Sequence, residues 1–330
     1  MSFFAVLMAL VIEQLRPLPR ENAVHEAMVA WTRWIGRNFD AGRDHHAWVV
    51  WGISVLLPAV AVAAAHLLLA PVSLLLSLGW SVLVLYLTLG FRQFSHHYTG
   101  IRDALARGDE TEARRLLAEW RHLDASELPR AELLRQVIEH SLVAAHRHVF
   151  GVFFWFVVLA ALGLGPAGAV LYRLAEFSSR YWAFRSRTVG VAINERLMLR
   201  SQALFAWIDH VPARLTAFGF AVVGDFEAAV ECWRRDARLW RDANDGILLA
   251  AAAGAVGVRL GGGVVPPVTP DLSKGLSTGA TAESGAWPGG STPGLAPEFG
   301  HLRSVVGLVW RSVVLWMLLL ALLTLANLVG

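Results

Sequence analysis

Apolar positions in this chain fall in long runs, not at the short alternating spacing of a soluble fold. Residues 312–329, SVVLWMLLLALLTLANLV, contain no charge and no proline. A helix of that length reaches across the roughly 30 Å hydrocarbon core of a bilayer. Residues 47–91 form a longer run, interrupted by His66 and Pro71. That length predicts two spans, 47–70 and 72–91, with Pro71 as the turn, because proline cannot continue a helix. The link between them is too short to hold a domain, so they form a hairpin.

A third apolar stretch, residues 149–174, is broken by Gly163, Gly165, Pro166 and Gly168. Three glycines and a proline disfavour one straight helix. Charge points the same way. Residues 92–148 carry Arg102, Arg107, Arg114, Arg115, Arg121, Arg130, Arg135 and Arg147, and arginine excess near membrane ends marks the cytoplasmic side. A single crossing at 149–174 would place Arg173, Arg180, Arg185, Arg187, Arg196 and Arg200 on the opposite side. A re-entrant helical hairpin returns them to the arginine-rich side, and its turn should then pack inside the protein. One tilted, kinked span is the other arrangement.

Between the apolar runs the pattern is amphipathic. Residues 2–12 read as a retained apolar helix, too short to span and ending at Glu13; no basic leader precedes it. Residues 20–46 are polar, with Trp31, Trp34 and Ile35 as interfacial anchors. A helix over 111–120 places Ala113, Leu116, Leu117 and Trp120 on one face, with Asp109, Glu110 and Glu112 at its start, where the helix dipole favours carboxylates. Residues 176–243 read as amphipathic helices broken at Pro212, and 246–260 as a small-residue helix suited to close packing. Residues 261–300, rich in Gly, Pro, Ser and Thr, read as a flexible loop. The expectation is an all-α integral membrane protein with several transmembrane helices, a re-entrant helical hairpin and a cytoplasmic helical region. Its segments are 1–91, 92–148, 149–260, 261–303 and 304–330, set in a bacterial inner membrane.

Composition sharpens this. Hydrophobic residues make up 55% of the sequence and the mean hydropathy is +0.49, which excludes an ordinary soluble protein of this length. The net charge is +3, with no basic block, so nucleic acid is not an expected partner. Cys232 is the sole cysteine, which excludes an intrachain disulfide and a cysteine metal site.

Candidate chemistry is sparse. No phosphate-binding glycine loop, HExxH or Gly-x-Ser-x-Gly is present. His96, His97, His140, His146 and His148 lack the helical spacing for chelation and read as interfacial histidines, so no metal site is assigned. Two segments stand out. Asp209-His210-Val211-Pro212-Ala213-Arg214 puts a carboxylate and a guanidinium on either side of a proline break. That pattern fits an ion pair pinning a kink, or a polar site for phosphate or carboxylate. Asn244-Asp245-Gly246 opens the alanine-rich helix and Arg259-Leu260-Gly261-Gly262 closes it. These read as caps or as a ligand-contacting helix start.

At these residues the chain resembles the CobD/CbiB family of cobalamin-biosynthesis membrane proteins. Residues 211–217 (VPARLTA), 250–262 (AAAAGAVGVRLGG) and 109–120 carry the likeness. Residues 94–99 (FSHHYT), IDHVPARL and Val222-Val223-Gly224 are similar to its AmpE branch. The resemblance implies amide formation between adenosylcobyric acid, a corrinoid, and aminopropanol or its phosphate, with ATP and Mg²⁺ as cofactors. It also implies ligand-binding roles for Glu13, Asp209, Arg214, Asn244 and Arg259, and leaves the catalytic residues unassigned. Acidic family positions are replaced at 139–148, at 176–179 and at Leu249; only Glu13 matches the first acid. The AmpE likeness implies the alternative, a non-catalytic inner-membrane sensor. The lipid bilayer and a corrinoid substrate are the expected partners. Transport is disfavoured by the few clear spans and the lack of a paired repeat.

Overall fold

The computed structural model describes residues 2–16, 23–39, 44–121, 124–187, 195–262 and 290–329. In chain order the helices are α1 (Ser2–Leu15), α2 (Ala23–Phe39), α3 (Asp44–Leu69), α4 (Leu74–Thr88), α5 (Phe91–Ala106), α6 (Glu110–Arg121) and α7 (Arg130–Ala145). A π turn (His146–Phe150) follows α7. Then come α8 (Gly151–Ala161), α9 (Ala167–Arg187), α10 (Glu195–Ile208), α11 (His210–Val223), α12 (Phe226–Asp236), a 3₁₀ turn (Ala237–Leu239), α13 (Ala243–Val256) and α14 (Phe299–Val329). Among the described residues, three helical runs are long and apolar enough to cross a membrane: His46–Leu69, Arg130–Ala161 and Phe299–Ala326. The protein is an all-α membrane protein. Its chain divides into two compact units, one of Met1–Gln93, Arg147–Asp209 and Leu320–Gly330, the other of Phe94–His146 and His210–Leu319.

In the first unit α3 and α4 form the expected hairpin. Pro71 lies in the turn, and Ser73 N–H donates to Leu69 O at 3.2 Å. Pro58 sits inside α3. α4 has 15 residues, shorter than a full span.

The second hairpin, α8 and α9, turns at the glycines. Gly163 and Gly165 have φ of 79° and 59°, a region L side chains avoid. A Cβ on Gly168 would lie 1.8 Å from Trp155 O, and one on Gly165 would lie 2.2 Å from the His66 ring. The legs therefore meet backbone to backbone, and the turn rests on α3. Gly165 and Pro166 are buried as expected, whereas Leu162 at the tip is 69% exposed. Trp155 Nε1 donates to Ile208 O at 3.1 Å, tying α8 to α10.

In the second unit α6 forms as its pattern predicts. Asp109 Oδ1 accepts from Glu112 N at 2.9 Å, and Ala113, Leu117 and Trp120 are buried. α13 is the centre of packing, with α11, α12 and α7 against it. Its small residues set the distance, since a Cβ on Gly254 would lie 2.3 Å from Ala228 O and one on Gly246 would lie 2.1 Å from Ala237 O. α7 is buried from Leu133 to Ala145 despite Arg135, Gln136 and Glu139.

The break expected at Pro212 lies at Asp209 instead. Pro212 is the third residue of α11. First-turn N–H groups have no acceptor within the helix, so proline costs little there and its fixed φ suits the helix.

Candidate functional site

In the second unit the two sequence islands meet. Arg214 projects from the first turn of α11, and its Nη1 donates to His210 O at 2.8 Å and to Asn244 Oδ1 at 3.3 Å. Asn244 is in the first turn of α13, where Asp242 caps the helix: its Oδ1 accepts from the N–H of Asn244 and of Asp245, each at 2.9 Å. The cap fixes the start of α13, and the close approach at Gly246 fixes its depth. Asn244 and Asp245 are buried at 5% and 1% exposure, while Arg214 is half-buried. A guanidinium held on two oxygens beside a helix start, and reachable from outside, suits a carboxylate or phosphate.

Arg259 lies at the other end of α13. That helix has 14 residues, about 20 Å at 1.5 Å per residue, so Arg259 does not share a site with Arg214. Its Nη2 donates to Gly294 O at 3.3 Å. Around it the chain is stitched: Arg259 N–H donates to Leu295 O, Thr292 N–H to Leu260 O and Leu295 N–H to Gly257 O, at 2.8, 2.8 and 3.0 Å. Leu260 N–H donates to Thr292 Oγ1 at 2.9 Å. The flexible loop expected over 261–300 falls mostly on residues 263–289, outside the described residues.

Glu13 and Asp209 belong to the first unit. Glu13 is buried on α1, which packs on α4. Asp209 is 1% exposed and accepts the Tyr172 hydroxyl at 2.6 Å.

Two groups in the second unit make contacts that the sequence reading did not assign to them. Glu139 Oε1 accepts from Gly261 N–H at 2.8 Å and from Arg135 Nη1 at 2.8 Å, pinning the glycine turn after α13 onto α7. His146 Nδ1 lies 3.0 Å from Thr216 Oγ1. The Thr216 hydroxyl donates to Pro212 O at 2.9 Å, so it accepts from His146, whose Nδ1 carries the proton. Neither contact has a local signal, because each partner lies far away in sequence. Thr216 and Arg214 are two residues apart and face different directions on α11.

Acidic side chains do not assemble a metal site among the described residues: no group of three or more His, Cys, Asp or Glu converges there. Asp242, two residues before Asn244, is committed to the helix cap.

The sequence pattern of the CobD/Cbib protein family matches residues 2–266. A cobalamin biosynthesis protein CobD of Stutzerimonas stutzeri is 32% identical over 331 residues, covering 96% of each chain. That of Chromobacterium violaceum is 38% identical over 213 residues, covering 61% of this chain and 64% of the relative. That of Leptospira interrogans is 26% identical over 223 residues, covering 65% of each. None of these relatives carries a sensor name. No solved structure gives a significant match.

Proposed function

The chain belongs to the CobD/Cbib protein family, and on that premise we propose that it serves the amide-forming step of cobalamin biosynthesis, with Arg214 and Asn244 holding the carboxylate of a corrinoid substrate. The observation that carries this reading is the 3.3 Å contact between Arg214 and Asn244, 30 residues apart, which joins the two segments most like the family. A planar guanidinium binds a carboxylate through two parallel hydrogen bonds. Asn244 and the His210 carbonyl hold it in place for that task.

The reaction joins an adenosylcobyric acid carboxyl to the amine of aminopropanol or its phosphate. ATP with Mg²⁺ would activate the carboxyl. The role assigned to Arg214 and Asn244 is binding and orienting. The arginine excess of residues 92–148 supports placing this side of the protein in the cytoplasm, with the helices in the inner membrane.

The test is amide formation by full-length, detergent-solubilised protein given adenosylcobyric acid, aminopropanol phosphate, ATP and Mg²⁺. Product from the natural sequence, and a loss of about tenfold or more in kcat/KM for Arg214→Ala at equal accumulation, is the expected result; one lost charged hydrogen bond costs about 1.5–3 kcal/mol. Failure of folded protein to form product, together with failure to restore growth in a strain lacking the synthase, would overturn the reading.

A further inference from the structure

Beside one histidine of the first unit, two buried arginines share one carboxylate among the described residues. Glu176 is 1% exposed and Arg180 7%. The Glu176 carboxylate takes Arg173 Nη1 at 3.0 Å, Arg180 Nη2 at 3.0 Å and Arg180 Nε. Each guanidinium has five N–H donors. One carboxylate therefore occupies three of roughly ten, and Glu176 is the only ion-pair partner of either arginine among the described residues.

Arg147, itself buried, lies with its guanidinium carbon 5.6 Å from the centre of the Phe205 ring. That ring is 5.7 Å from Tyr172. The charged groups that face His148 are Arg147, Arg173, Arg180 and Glu176. Among the described residues Arg173 and Arg180 thus share the single carboxylate of Glu176. His25 does not add to the positive charge: burial, then Arg180 and Arg173, lowers its pKa to about 4, so it is neutral near pH 7. His148 is 93% buried and its Nδ1 has no hydrogen-bond partner among the described residues.

Burying a charge costs several kcal/mol, and two guanidinium groups on one carboxylate leave one positive charge among the described residues for an anion to offset. We propose that Arg173, Arg180 and His148 form a binding site for a small oxyanion, a phosphate monoester or a carboxylate, entered past Arg173. Arg173 is the most open of the ion-paired trio, its side chain 12% exposed against 6% for Arg180. The anion takes the guanidinium N–H groups that Glu176 leaves over. This site does not depend on amide synthesis, because binding is read without turnover.

Inorganic phosphate is the probe. The full-length protein in neutral detergent is titrated at constant ionic strength against chloride, following the thermal midpoint and calorimetric binding. A saturable rise in midpoint is expected, with binding at least tenfold weaker in Arg173→Gln. The surface variant Arg235→Gln should bind like the natural sequence. If Arg173→Gln fails to fold, Glu176→Gln decides. Removing the competing carboxylate should tighten phosphate binding even while it lowers stability, whereas a purely structural cluster would give no tightening. Absence of saturable binding, or equal affinity in Arg173→Gln, would overturn the proposal. Micelles containing phosphatidylglycerol separate the sources. No competition is expected; competition at matched phosphate would assign the anion to a lipid headgroup.

Discussion

Tyr172 donates its hydroxyl to Asp209 at 2.6 Å, and so binds a leg of the α8–α9 hairpin to the residue that separates α10 from α11. Both partners are at most 1% exposed. Tyr172→Phe takes a donor from a buried carboxylate and should cost about 1.5–3 kcal/mol. The thermal midpoint of the solubilised protein checks this. A midpoint equal to that of the natural sequence would show that the bond adds nothing.

Two glycines in helices should respond oppositely to alanine. At Gly168 the new Cβ would meet Trp155 O at 1.8 Å, while at Gly52 it meets nothing within 4 Å. Gly168→Ala must spread the hairpin and should destabilise by about 1–3 kcal/mol or more. Gly52→Ala gains helix propensity and should stabilise by up to about 1 kcal/mol. Paired measurements of membrane accumulation and midpoint compare the two; equal effects would contradict the close packing of α8 on α9.

Glu139 has two obligations, the Arg135 guanidinium and the Gly261 N–H. Glu139→Ala leaves Arg135 with only Glu132 and should cost about 3–5 kcal/mol. Glu139→Gln keeps an acceptor for Gly261 and should cost less. An alanine variant as stable as the glutamine variant would assign the whole effect to lost charge.

His25 makes stability depend on pH with a definite sign. Its folded pKa is lowered from 6.5 to about 4, first by burial and then by Arg180 and Arg173. Below pH 6.5 the unfolded chain takes up a proton that the folded chain refuses. Stability should therefore fall as pH drops from about 6.5 to 4, and this part of the loss should disappear in His25→Gln. Midpoints across that range supply the comparison, and superimposable profiles would rule the histidine out.

The α8–α9 hairpin was legible because its signal is local: Gly163, Gly165, Pro166 and Gly168 lie within six residues. The α3–α4 turn at Pro71 was legible for the same reason. The long run Arg130–Ala161 was not, because Arg135, Glu139 and the histidines read as a soluble surface. Arg135 pairs with Glu132 and Glu139 at i−3 and i+4, and Glu139 also accepts the N–H of a glycine 122 residues away; no spacing rule reports that last contact. The shift of the helix break from Pro212 to Asp209 shows the limit of a proline signal, which marks a boundary without fixing which side of it the proline occupies. Of the candidate residues, Arg214 and Asn244 come together as two motif-bearing helix starts. Arg259 is carried to the far end of α13 by helix length alone.

The backbone bonds between residues 257–260 and 292–295 hold the end of α13 beside the approach to α14, and the Tyr98 hydroxyl donates to Leu302 O at the start of α14. The last helix is thus fastened by contacts that do not run through the peptide chain between 262 and 290. These contacts predict assembly without covalent continuity between the two sides. A protein made as two polypeptides, residues 1–270 and 285–330, should reassemble when both are co-expressed, and an affinity tag on one piece should recover the other from the membrane.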